Sequence, residues 1–156
     1  PEWLLINERG RTHRVPLSDV VYLKAELKYV TVRVASGSYL LDGSLSQLEE
    51  RHGARFLRIH RNALVARSAI RALVRHHDAE EGDGWAVRLA GVDEPLMVSR
   101  RQVAAVREAL VIMINCYERL GQKELADQTR KVFAENYSGE VASVKPATKK
   151  RWWNIF

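Results

Sequence analysis

Cysteine is almost missing from this chain: Cys116 is alone among 156 residues. That excludes an internal disulfide and a zinc site built on several thiolates, and it fits a reducing compartment. With Met113, Ile114 and Tyr117 around it, Cys116 is expected to be a small packed apolar group. Long apolar runs are missing too; nothing approaches the roughly 18 residues that a membrane-spanning helix needs. The opening Pro1 to Glu8 lacks a basic leader, a sustained apolar core and a small-residue cleavage site, so the expected location is cytoplasmic. Also missing are a nucleophile elbow, a phosphate-binding glycine loop, paired carboxylates and a His-Cys set at a useful spacing, so no enzyme is expected. His76 and His77 lie beside carboxylates, but adjacent residues on a polar loop make a poor preformed metal site, and a solvated hairpin tip is expected there.

Lysine is scarce over most of the chain, and arginine replaces it. Pro1 to Glu108 hold 15 Arg but only Lys24 and Lys28. The planar guanidinium fork suits bidentate contact with guanine edges and phosphates, which favours nucleic acid as a partner. A GC-rich genome gives the same bias with no function behind it. The net charge of +6 permits an anionic partner without establishing one.

What is present is a series of short strands. Trp3 to Ile6, Thr12 to Leu17, Val20 to Leu23, Tyr29 to Val34 and Tyr39 to Leu41 are separated by turn formers, at intervals that predict an antiparallel meander. Ser44 with Gln47 opens a short helix carrying Leu45 and Leu48, which Gly53 stops. Phe56 to His60, Ala63 to Ala66, Ile70 to Val74, Trp85 to Leu89 and Pro95 to Val98 are again β-like, and His76 to Gly84 reads as a loop. Ser99 with Gln102 is a second capping box. It opens a helix with Val103, Val106, Leu110, Met113 or Ile114, Tyr117 and Leu120 on its apolar side, ended by Gly121. Lys123 to about Tyr137 predicts a second helix with Leu125, Ala126, Val132 and Phe133 buried, giving an antiparallel αα-hairpin.

One stretch stands out, Phe56 to Arg67, reading FLRIHRNALVAR. Phe56, Leu57 and Ile59 are apolar anchors, whereas Arg58, His60, Arg61 and Asn62 crowd polar donors at a strand end. Such a tip suits a loop that reads bases, and it equally suits a surface hairpin with solvated arginines.

The neighbouring motifs narrow that choice. VVYLKAE at Val20 to Glu26, then Tyr29 to Val32, the helix Leu45 to Leu48, FLRIHRNALVAR and MVSRR at Met97 to Arg101 together resemble the LytTR DNA-binding domain, in order and spacing. The likeness covers about 4–108 and lies nearest the alginate-regulator type of response regulator. It implies a mostly β, compact antiparallel fold with one or two short helices that inserts loops, in place of a recognition helix, into the major groove. Carried over by motif, the DNA-binding residues are Glu26, Leu27 and Lys28 in a first loop, Arg61 and Asn62 in a second, and Arg100 and Arg101 in a third, with Arg58 and His60 in support. The family's central position is often Ser or Asn; here it is the pair Arg61-Asn62, so either can be the base reader. Where the family often has Asn after the Val-Val strand, this chain has Arg67. Arg61 and Arg101 could each grip a guanine and Asn62 an adenine, while Lys28 and Arg100 suit phosphate. His60 has two roles open to it, base contact or a hydrogen bond that fixes the loop backbone.

The expected partner is double-stranded DNA, bound as a dimer on paired half-sites, with a receiver domain expected upstream and absent from these residues. No cofactor, metal or small-molecule substrate is expected. The tail, VIMINCYERLGQKELADQTRKVFAENY, is similar to the last tetratricopeptide-like hairpin of outer-membrane assembly lipoproteins of the BamD type, which gives the rival reading of a protein-interaction module. One such hairpin cannot bury its own faces and needs neighbours. The implied division is a LytTR-like domain over 1–108, a helical hairpin over 109–139 and a flexible basic, Trp-rich tail over 140–156.

Overall fold

The computed structural model describes residues 2–136. Along them run β1 (Trp3–Glu8), β2 (Arg11–Pro16), β3 (Val20–Glu26), β4 (Tyr29–Val34), β5 (Gly37–Leu41), α1 (Leu45–His52), β6 (Phe56–His60) and β7 (Ala63–Ala66). Then follow β8 (Ile70–Asp78), β9 (Gly82–Leu89), β10 (Leu96–Val98), α2 (Val103–Arg119) and α3 (Lys123–Asn136), with a 3-10 turn at Arg100–Gln102. The fold is mostly β with antiparallel sheets, as expected, and the two last helices pack as a hairpin. No helix among the described residues is long and apolar enough to cross a membrane.

β3 is the middle of a five-stranded sheet ordered β5-β4-β3-β7-β6. Its run Val20-Val21-Tyr22-Leu23 is buried at every position, because packing covers both faces of this strand. β7 is buried throughout as well, whereas β4 alternates, with Val30, Val32 and Val34 inward. β8, β9 and β10 make a second sheet, and β1 with β2 a two-stranded one. The meander predicted over the first third is therefore confined to β3, β4 and β5. β1 sends Leu4 and Ile6 into the core without joining that ladder.

Other expectations need correction. The region 76–84 is not a long loop: β8 and β9 continue to Asp78 and from Gly82, leaving a three-residue turn. Ladder hydrogen bonds outweigh the polar composition there. The Asp78 carboxylate closes the turn by accepting from the N–H groups of Glu80 (2.8 Å) and Glu81 (3.0 Å), and Gly82 takes φ +79°, the left-handed residue such a turn requires.

The Ser99 capping box does not form. The Gln102 N–H donates to the Ser99 backbone carbonyl at 2.9 Å, which winds a 3-10 turn and uses the donor that the hydroxyl would have capped. At Ser44 the cap is present, with Oγ accepting from the Gln47 N–H at 3.2 Å.

Cys116 and Leu120 are exposed, not packed. Ile114, Asn115 and Tyr117 take the inward positions and rotate Cys116 outward. On α3, Ala126 and Thr129 are buried while Leu125 is exposed; the side chains of Val132 and Phe133 and the whole 140–156 tail lie outside the described residues. Gly121, at φ +74°, ends α2, and the Gln122 N–H reaches back to the Tyr117 carbonyl at 2.8 Å. The boundary expected at 108 falls inside α2, where Ala109, Leu110 and Val111 share one apolar cluster with the strands.

Candidate nucleic-acid interface

Turns far apart in sequence meet at one edge of the fold. The first joins β3 to β4, where Glu26 faces Tyr29 across the ladder and Leu27-Lys28 form the tip. Leu27 has φ +43°, a left-handed conformation that costs an L residue about 1–2 kcal/mol, and its side chain is fully exposed. Glu26 accepts a hydrogen bond from Thr31 Oγ1 at 3.1 Å and so is held beside the tip.

The second turn joins β6 to β7 and carries Arg61 and Asn62. Its backbone is fixed at successive atoms. Arg58 Nε donates to the His60 carbonyl at 2.9 Å, Arg58 Nη2 donates to the Arg61 carbonyl, and the Asn62 carbonyl accepts from the Ala25 N–H at 2.8 Å. The Asn62 N–H donates to His60 Nδ1 at 3.3 Å. Arg61 is exposed and Asn62 half-buried, so the locked backbone presents one exposed guanidinium and one partly sheltered amide.

A bulge links this turn to the third. The β6–β7 register skips between Arg58 and His60, so Ile59 has no partner in β7 and its carbonyl accepts the Ser99 N–H at 2.8 Å. The 3-10 turn that follows Ser99 exposes Arg100 and Arg101. Two cations at the start of a helix oppose its dipole, a mismatch that a phosphate would relieve.

The sequence-based site residues are thus brought to one edge, with the Ala25–Asn62 and Ser99–Ile59 hydrogen bonds tying the turns together. Sequence reasoning missed Glu49 and Glu81. Glu49 pairs with Arg58 Nη1 at 3.2 Å, and Glu81 lies 3.0 Å from Nε2 of the buried His60. Neither carries a local signal, since each reaches its partner from another element. Among the described residues no group of His, Cys, Asp or Glu is arranged to hold a metal, and His77 Nδ1 is engaged by Asp83 at 2.7 Å.

The hairpin tip beside this edge is sensitive to acid. Hydrogen bonds from the Glu81 and Glu80 N–H groups stabilise the Asp78 carboxylate and hold its pKa below the ordinary 3.8. A depressed carboxylate contributes stability above its unfolded pKa and loses it as pH falls through the folded one. The Asp78 side-chain carboxyl carbon is therefore expected to titrate with a midpoint below 3.8 in carbon NMR; a midpoint at or above that value would mean that the tip is not closed by Asp78.

The LytTr DNA-binding domain family matches residues 10–111, a span that includes all three turns. The positive alginate biosynthesis regulatory protein of Pseudomonas aeruginosa is 46% identical over 97 residues, which are 62% of this chain and 38% of that protein. The CO-responsive transcriptional regulator RcoM of Rhodospirillum rubrum is 32% identical over 102 residues, or 65% of this chain and 42% of that one. This chain therefore spans under half the length of either relative. The solved LytTr DNA-binding domain of a Bacillus cereus response regulator has the same fold, with a TM-score of 0.57 at 22% identity over 70% of this chain and 97% of that one. By the match over 10–111, the chain belongs to the LytTR DNA-binding domain family.

Proposed function

We propose that this chain is the sequence-specific DNA-binding effector part of a two-component transcriptional regulator and reads the major groove through loops. The observation that carries the reading is the joining of three exposed, mostly basic turns by the Ala25–Asn62 and Ser99–Ile59 hydrogen bonds. Arg61, Asn62 and Arg101 are the base readers; Lys28 and Arg100 contact phosphate, and Glu26 and Leu27 shape the first tip. Arg58 and His60 hold the second turn in place. Paired half-sites would be read by a dimer, and a receiver domain elsewhere in the regulator would supply control. The similarity to an alginate regulatory protein favours a regulator of that kind.

Selection from a random duplex pool tests the proposal. One motif should be enriched, with log affinity falling linearly in log salt; an unenriched pool would end the reading. The rival, an interaction module built on the α2–α3 hairpin, would use the open apolar groove along Ile112, Met113, Cys116 and Leu120. Truncation after Ile112 separates the two. It keeps the apolar cluster that ends at Val111, so the enriched motif should still be bound within about threefold, under 1 kcal/mol. Loss of sequence preference on truncation would favour the hairpin.

A further inference from the structure

Building on that reading, we infer that Glu81, on the β8–β9 turn, is a positioning residue for base recognition at the β6–β7 turn and acts through His60. The chain of contacts is short and directional. The Asn62 N–H donates to His60 Nδ1 at 3.3 Å, so Nδ1 must present a lone pair. The imidazole proton of the neutral ring is then on Nε2, which faces Glu81 Oε1 at 3.0 Å. The ring is buried, its side chain only 10% exposed, and within the described residues Glu81 is the acceptor that the structure gives to Nε2.

Without that acceptor the proton has less reason to stay on Nε2. A proton on Nδ1 would turn a donor toward the Asn62 N–H, and the turn carrying Arg61 and Asn62 would lose its lock. The position of Glu81 is itself prepared, because the Asp78 carboxylate holds the Glu80 and Glu81 amides and aims the tip. A small cavity of about 130 Å³ between Lys24, Asn62 and this tip places the carboxylates of Asp78, Glu80 and Glu81 next to the reading edge. Their charge alone disfavours DNA there. Orienting His60 is a role for the Glu81 carboxylate that offsets this repulsion.

A charge-matched pair of variants tests this. Glu81→Gln and Glu81→Met both remove the charge, but only glutamine keeps an oxygen that can accept from Nε2–H; the site is 44% exposed, so both side chains fit. The probes are the duplex enriched from the random pool by the unsubstituted chain and a scrambled duplex of equal composition. Both variants should bind the scrambled duplex somewhat more tightly through the lost repulsion. The ratio of enriched to scrambled affinity should fall about tenfold in Glu81→Met and stay within about twofold in Glu81→Gln. In the free protein, nitrogen NMR should report the Nε2–H tautomer for the unsubstituted chain and Glu81→Gln, and a mixture with faster Asn62 amide exchange for Glu81→Met.

Equal ratios in the two variants would reduce Glu81 to a repulsive charge and overturn the inference alone. So would a His60 tautomer that ignores the substitution. An unsubstituted chain that does not distinguish the two duplexes would overturn the DNA reading as well.

Discussion

Arg61→Ala and Arg101→Ala should each cut discrimination between the enriched and a scrambled duplex by about 5- to 150-fold, the equivalent of one bidentate guanine contact of about 1–3 kcal/mol. The size follows from how the arginines are held. At the second turn the carbonyls of His60, Arg61 and Asn62 and the Asn62 N–H are all engaged, so truncating the Arg61 side chain removes a reader without collapsing its mount. Arg101 is exposed on a 3-10 turn that the Ser99–Ile59 hydrogen bond ties to the same edge. The salt slope should change little in either variant, because a guanine contact neutralises no phosphate. Lys28→Ala and Arg100→Ala provide the contrast: both duplexes should weaken together, because a phosphate contact carries no sequence information. Competition binding at fixed salt measures the ratio directly. If it is unchanged in both arginine variants, the base readers lie elsewhere, with Asn62 next to test.

How much of this arrangement could be read in advance depended on the range of the signal. Strand alternation in β4, the buried run of β3 and the Ser44 cap are local, and each predicted its element. The ends of β8 and β9 were not legible, since His76, His77 and Asp83 look like loop residues until the opposite strand pairs with them. Cys116 was misplaced because neighbours in sequence do not say which way a helix turns against a sheet. At the site, composition left FLRIHRNALVAR open between a solvated hairpin and a reading loop. The ordered motifs decided it by implying that distant turns belong together. Glu81 and Glu49 stayed hidden for the complementary reason: each meets its partner, His60 or Arg58, only after the fold has closed. The bulge at Ile59 is another product of tertiary structure. A regular β6–β7 register would have paired that residue within its own sheet and left the third turn without its anchor.

Ile59→Ala should therefore have the largest effect on stability, about 2–5 kcal/mol, and Ile59→Val only about 0.5–1.5. The side chain is fully buried in the central cluster near the end of β6, two residues before Arg61. At about 4–8 °C of melting temperature per kcal/mol for a domain near 100 residues, the alanine variant should melt at least about 8 °C lower. Its backbone carbonyl is untouched, so the Ser99 hydrogen bond can persist in the molecules that stay folded. Binding corrected for the folded fraction should then keep its sequence preference, the opposite pattern to Arg61→Ala, which should leave stability within about 0.5 kcal/mol and lower the preference. Thermal melts and competition binding on the same samples distinguish these cases. A melting temperature unmoved by Ile59→Ala would mean that β6 is not anchored in the core. A folded fraction that has lost its preference would mean that the cavity reaches the turn, so that core packing at Ile59 sets the reading geometry as directly as the Arg58 and His60 contacts do.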